Sequence, residues 1–353
     1  MIAPVIIPTL CRLEHFKRLL ESLKRNSWAK YTDVYIGLDY PPSQKYEKGW
    51  REINEYLDNG DFTVFHSFKV YKWEENLGVG KNNAKLVDVI YKKYDRFIIL
   101  EDDIEVSPNF LEYMNKCLDA FERDSDVVAV AGYSYPIDWD VSNDATCMRQ
   151  NFNASMWGTG FWKSKLQQMD KDIRSGKMLD DVNKVIRSGS YKNMIDACLR
   201  EYIPAALTPY RRMHKLMLVP TDMAVRAYLA VEGKYVISPV ISKTRNHGFD
   251  GSGVYCQIIN SEMNGNTAGS YNYSQQPIDK ENTFELVFNE KDSIEENRGL
   301  LNRFDVRLPI QMRRTRLYIW LMTHIGVWAG KFCAQILFPF DFSLKVYKKL
   351  MRS

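Results

Sequence analysis

Up to about residue 131, short apolar runs of strand length alternate with stretches of helical periodicity. That alternation restricts the chain to a mostly parallel sheet with helices packed on its faces. An apolar run at 5–7 is followed by Leu13, Phe16, Leu19, Leu20 and Leu23, which share one helical face. A second run at 34–38 closes on Asp39 and the turn signal Pro41 and Pro42. A strand is expected over 62–68. Gly78 and Gly80 open a segment in which Ala84, Val87, Ile90 and Tyr91 recur at helical spacing. The run 97–100 is wholly apolar and is followed at once by Glu101, Asp102 and Asp103. A helix over 109–123 and a strand over 127–131 complete this half, and the class is α/β.

The second half is less regular. Residues 156–165 are rich in Trp and Gly, 177–200 read as one or two amphipathic helices, and 236–241 read as a strand interrupted by Pro239. Residues 264–277 are the most loop-like stretch. The expected division is 1–135, 136–306 and a separate tail at 307–353. The six cysteines are scattered without a CxxC pair, which argues against a zinc site or a disulfide framework and suits a reducing compartment. The first strand begins within a few residues of the amino terminus without a preceding signal sequence, so the body is expected to remain in the cytoplasm.

Charge is distributed unevenly. The 48 Lys and Arg against 44 Asp and Glu leave a net charge of +4, too small to imply a nucleic-acid partner. Residues 307–353, however, hold nine Lys or Arg and one acid, Asp341. Within the tail, 317–338 is apolar apart from Thr323, His324, Lys331 and Gln335, and the last three share one helical stripe. Trp320, Trp328 and Phe332 on the other face, with cations on both flanks, predict an amphipathic helix lying on the inner face of the cell membrane. A buried helix is the alternative, and a membrane span is disfavoured by the central Lys331.

Three successive carboxylates after a buried strand repel one another unless a cation sits among them. Mg²⁺ and Mn²⁺ take oxygen ligands, commonly one or two carboxylates together with phosphate oxygens. In open α/β sheets ligands bind beyond the carboxyl ends of the strands. Arg12 after the first strand, Asp39 after the second and Glu101, Asp102 and Asp103 after a later one should all emerge there. Together they could bind a nucleotide, Arg12 reaching its charge, Asp39 accepting from a base N–H, and the acids holding metal and ribose. Lys81, in a Gly-rich entry to a helix, could add a further donor contact, although the spacing is not that of a P-loop.

The stretch 100–110, Leu-Glu-Asp-Asp-Ile-Glu-Val-Ser-Pro-Asn-Phe, resembles the metal motif of nucleotide-sugar glycosyltransferases with the GT-A fold. The likeness is to the N-acetylglucosaminyltransferase I-like group and to bacterial family 2-like glycosyltransferases. It extends to 5–12, to 156–162 and to 237–253, so that roughly 3–255 is covered. The resemblance implies a nucleotide-sugar-binding half for 1–135 and an acceptor-binding half for 136–306. In the first it implies Asp103 as the direct ligand of Mn²⁺ or Mg²⁺, with Glu101 and Asp102 touching ribose and base. Arg12 and Asp39 match positions that contact the nucleotide. It also implies an acceptor-side base, for which Asp222 is the candidate and the pair Asp180 and Asp181 the competitor. Trp157, Phe161 and Trp162 could offer platforms to a sugar ring, with Gly158 and Gly160 allowing close approach; packing in the core is the alternative for the aromatics. His247 could face the donor pocket or simply pack.

These readings predict a metal-dependent transferase moving a sugar from a nucleotide-diphosphate sugar, UDP being the expected base, to a glycan or lipid-linked acceptor. Inversion at the anomeric carbon and a role in surface polysaccharide synthesis are expected. A sugar-phosphate nucleotidyltransferase and a non-catalytic membrane-bound scaffold are the alternatives. Against the former, 9–12 contain no glycine after the first strand.

Overall fold

The computed structural model describes residues 1–152, 155–174, 225, 228–229, 231–253, 271–304 and 325. Met1–Lys171 with Lys215–Val306 make one compact unit, and Asp172–His214 with Arg307–Ser353 make another. Asp222, Asp180, Asp181 and the tail segment 317–338, apart from Ile325, lie outside the described residues.

The first unit opens with β1 (Val5–Thr9), α1 (Leu13–Lys24), β2 (Asp33–Leu38), α2 (Gln44–Asn59), β3 (Ser67–Lys72), α3 (Gly78–Ile90) and β4 (Arg96–Ile99). Then come β5 (Ile104–Val106), α4 (Phe110–Ala120), β6 (Val127–Ala131), β7 (Cys147–Gln150), β8 (Thr159–Trp162) and α5 (Lys163–Arg174). The described elements end with β9 (Tyr235–Pro239), β10 (Thr244–Asn246) and α6 (Ile294–Phe304).

Eight strands form one sheet in the order β3-β2-β1-β4-β8-β6-β9-β7. Pairings β3 to β2, β2 to β1, β1 to β4 and β6 to β9 are parallel, whereas β8 and β7 run against their neighbours. The α/β expectation therefore holds, with two reversed strands in the half that the sequence left irregular. Strand β8 is the decisive insertion: it separates β4 from β6 and joins the two halves of the sheet. It fits there because Gly160 leaves room for α4, whose Met114 Cε and Leu118 Cδ1 would lie 3.0 and 3.1 Å from any added Cβ.

The central strands are buried on both faces, which is why 5–7, 34–38 and 97–100 read as continuous apolar runs rather than alternating ones. Helix α1 lays Phe16, Leu19, Leu20 and Leu23 on the core, the stripe its spacing predicted. One strand is displaced from its expected place. Phe62 and Phe65 lie in the turn before β3, and their rings stack against Phe68 at 4.0 and 5.9 Å. Three aromatics at this spacing imitate a strand in the sequence while filling the end of the core in the structure. A short antiparallel pair, β5 with β10, stands apart from the main sheet and aligns Asn246 with Ile104 and Arg245 with Glu105.

Candidate active site

Parallel strands bring the ends of β1, β2 and β4 to one edge, and the loops leaving them carry Arg12, Asp39 and the acidic triplet. Asp102 is nearly buried, and its carboxylate accepts from Thr9 Oγ1 at 3.0 Å and from Arg12 Nη2. The same guanidinium nitrogen lies 2.9 Å from Asp103 Oδ2. The cation demanded by adjacent carboxylates is thus present in the chain itself, as Arg12. Burial raises the Asp102 pKa and the neighbouring Asp103 charge adds to this; Arg12 and Thr9 oppose them without cancelling the rise. Burial works against the Arg12 charge, yet Asp102 and Asp103 outweigh it and hold the guanidinium ionised.

Asp103 is 5% exposed. One of its oxygens meets Arg12, whereas the other, Oδ1, is buried without a hydrogen-bond partner. Among the described residues no group of three or more His, Cys, Asp and Glu side chains is gathered to hold a metal ion. A Mg²⁺ or Mn²⁺ site does not require one, because such ions are bound through one or two carboxylates with phosphate oxygens and water completing the shell. A single spare carboxylate oxygen beside an arginine is a donor set that fits a metal arriving with a diphosphate.

The segment after β10 presses onto this pair. His247 donates its backbone N–H to the Asp103 carbonyl at 2.9 Å, and its Nε2 lies 2.9 Å from Glu105 Oε2. Glu105 also accepts from Arg245 Nη1 at 3.2 Å; the His247 bond is the largest influence holding its pKa below the usual range. Gly248 follows, and a Cβ there would overlap Asp103 Oδ2, lie 2.8 Å from Asp103 Cγ and 3.2 Å from Asn246 Oδ1. Only glycine lets the backbone come so near a carboxylate. Two residues on, Asp250 Oδ2 meets His15 Nε2 at 2.9 Å and so ties the segment to α1.

The other predicted residues are placed as follows. Asp39 is 4% exposed, and its oxygens accept from the backbone N–H of Tyr40, Leu77 and Gly78 at 2.8–2.9 Å and from Asn76 Nδ2 at 3.3 Å. It therefore joins the end of β2 to the start of α3. Lys81 is exposed on the first turn of that helix, and Glu101 is partly exposed beside Asp102. Gly158 takes φ 85° and gives its carbonyl to Gly132 N at 2.6 Å. Trp157 is partly exposed and stands edge-to-face with Tyr133, Phe249 and Tyr273 at 4.7, 5.7 and 5.5 Å. Trp162 lies in the core, 2% exposed, with Nε1 donating to Leu118 O at 3.0 Å; Phe161 is equally buried against Phe97.

The structure thus gathers Arg12, Asp102 and Asp103 in direct contact, joins Asp39 to the same edge through its N–H bond to Thr9 O, and leaves Trp162 inside the protein. Asn246 and Gly248 belong to this cluster but carry no charge. Their only signal in the sequence is their place in the stretch 237–253.

An α/β sheet with a buried, arginine-paired carboxylate at its carboxyl edge defines the class of protein to compare. The model of the GNT-I family matches residues 83–152, which include β4, the acidic triplet and α4, and the resemblance seen in the sequence is borne out there. No curated protein matches the chain. Solved structures that it resembles include TarS of S. aureus, residues 1–349, at 17% identity over 49% of this chain and 50% of that one, TM-score 0.34. A mannosyltransferase from Pyrobaculum calidifontis in complex with GDP-Man and Mn²⁺ is similar at 12% identity over 47% and 46%, TM-score 0.35. A cytidylyltransferase from Leptospira borgpetersenii is similar at 14% identity over 48% and 64%, TM-score 0.28. The chain spans about half the length of the first two.

Proposed function

We propose that the chain is a metal-dependent glycosyltransferase that moves a sugar from a nucleotide-diphosphate sugar, with UDP the expected nucleotide, to a glycan or lipid-linked acceptor. The observation that carries this reading is the buried, unpartnered Asp103 Oδ1 beside Arg12 at the carboxyl edge of the sheet. The GNT-I match over the same stretch supports it.

In this proposal Asp103 Oδ1 holds Mn²⁺ or Mg²⁺, and Arg12 meets the diphosphate, with Glu101, Asp102 and Asp39 arranging the nucleotide end and Lys81 adding charge. The bound ion supplies charge stabilisation for the departing diphosphate. Arg12 supplies the same stabilisation from the protein, and it does so already oriented, since two carboxylates fix its guanidinium before any ligand arrives. An incoming diphosphate would compete with Asp102 and Asp103 for Arg12. Asp222 takes the role of base, drawing the proton from an acceptor hydroxyl as it attacks the anomeric carbon, with inversion. Trp157, with partial exposure, is the platform for a sugar ring next to Gly158. The tail 307–353 is assigned to the inner face of the cell membrane, and surface polysaccharide synthesis is the process such an enzyme would serve.

The test is a screen of nucleotide sugars for Mn²⁺-dependent hydrolysis and transfer, with Asp103→Ala beside the wild type. Loss of at least a thousandfold in rate with an unchanged fold is expected, since one carboxylate provides the protein's direct hold on the ion. Full metal-dependent activity in Asp103→Ala rules the assignment out.

A further inference from the structure

Strand β3 is an edge of the main sheet, and its two faces differ. Alternation puts Phe68, Val70 and Lys72 on one face and Lys69 and Tyr71 on the other, with Trp73 next in line just past the strand. Phe68 and Val70 pack on the core, and Lys72 pairs with Asp58. On the opposite face α3 covers β2 at Gly37, where an added Cβ would meet Asn82 and Leu86. Tyr71 and Trp73 stay partly exposed.

Their rings belong to one row. Tyr35 of β2 lies nearly parallel to Tyr71, with ring centres 6.5 Å apart and planes 11° from each other, and Tyr71 to Trp73 at 5.9 Å and 23°. The row is held in place: Trp73 Nε1 donates to Asn82 Oδ1 at 2.8 Å, and Asn82 Nδ2 donates to Gly37 O at 2.8 Å. Two ammonium groups stand over it. Lys69 Nζ is 5.3 Å from the centre of the Tyr35 ring, and Lys85 Nζ, from α3, is 4.7 Å from that of Trp73. Both lysines are exposed, and among the described residues neither has an ion-pair partner.

Lysines alone would keep an edge strand from pairing with another chain. They do not call for a fixed row of rings between them, which leaves apolar surface in water. Flat rings take the C–H face of a pyranose, and unpaired ammonium groups take anionic oxygen. We propose that this face of β3 binds an anionic glycan, its sugar rings on Tyr71 and Trp73 and its charged groups at Lys69 and Lys85. The row begins at the carboxyl edge of the sheet, because the Trp73 N–H bonds Leu38 O at 3.0 Å, one residue before Asp39. A chain held here therefore runs from that edge along the outside of the sheet. Its being the acceptor or product rests on the transferase reading above, whereas its binding does not.

The experiment is affinity electrophoresis of the full chain through gels containing polygalacturonate or neutral dextran, each referred to a gel without polymer. Wild type is compared with Tyr71→Ser and with the double variant Lys69→Glu, Lys85→Glu; all three carry the same basic tail, so a difference between them reports on this face. Polygalacturonate should retard the wild type, less so at high salt, and dextran should not. Both variants should raise the Kd, the double variant by about tenfold or more, since each ammonium becomes a repelling carboxylate. The lysine substitutions are exposed and should leave the melting temperature and nucleotide-sugar hydrolysis unchanged. No retardation of the wild type, equal retardation by dextran, or wild-type affinity in either variant overturns the proposal. Tighter binding of an oligothymidylate than of polygalacturonate overturns it in favour of single-stranded nucleic acid. A wild type that binds polygalacturonate but turns over no nucleotide sugar removes the transferase reading and leaves this site standing.

Discussion

Gly248→Ala is the sharpest test of how tightly the site is closed. In the wild type the backbone at 248 approaches Asp103 with no side chain between them. An alanine Cβ would overlap Asp103 Oδ2 and stand 2.8 Å from Cγ, whereas carbon atoms settle at about 3.5–4.0 Å. Something must therefore yield by about 1 Å. The carboxylate resists, since Asp103 is nearly buried and tied to Arg12, which is tied in turn to Asp102. The chain resists as well, because the His247 N–H bonds the Asp103 carbonyl and Asn246 Oδ1 holds the Gly248 N–H. Overpacking of this kind costs about 1–3 kcal/mol. Placed on the Asp103 geometry, the same energy raises the Kd for Mn²⁺ with UDP by about 5- to 150-fold. Thermal unfolding gives the first quantity and calorimetry the second. An alanine variant with wild-type melting temperature and wild-type ligand affinity would refute the close approach and with it the account of Asp103 as a confined ligand.

Two other expectations concern regions away from the site. Asp33, at the start of β2, accepts from Ser67 Oγ at 2.7 Å, His66 Nδ1 at 2.6 Å, Lys93 Nζ at 3.1 Å and the Tyr94 hydroxyl; burial pushes its pKa up, and these bonds outweigh it to hold the group well below the usual range. A depressed folded pKa contributes stability that is full above the unfolded value of about 3.9 and disappears as the pH falls below it. Asp33→Asn should therefore flatten the acid limb of melting temperature against pH, and parallel curves for variant and wild type would show the cluster to be inert. For the tail, removal of 310–353 should abolish co-sedimentation with anionic liposomes at low salt; equal sedimentation of full-length and truncated chains would assign the cationic aromatic stretch some other role.

The elements that were legible in the sequence are those whose fate is decided locally. Phe16, Leu19, Leu20 and Leu23 mark one face of α1 because a helix repeats every 3.6 residues wherever it lies. The run at 97–100 marks a strand covered on both faces, and Glu101, Asp102 and Asp103 mark the point where that strand leaves the core. Where aromatics filled a turn, as Phe62 and Phe65 do, local pattern pointed to the wrong segment. Trp162 likewise looked like a platform beside Trp157, and the fold spends it on α4 through its bond to Leu118 O.

What the sequence determined by itself, then, was the alternation of strands and helices and the presence of clustered acid after β4, since both are properties of neighbouring residues. Tertiary structure alone decided that Arg12, 90 positions before Asp102, is the counter-charge, and that β8 enters in reverse between β4 and β6. It alone brought Asn246 and Gly248 onto Asp103. Those choices follow from which strand edges pair and which loops they carry together, and a hydrogen-bond ladder between distant segments leaves no period in the chain for a reader to find.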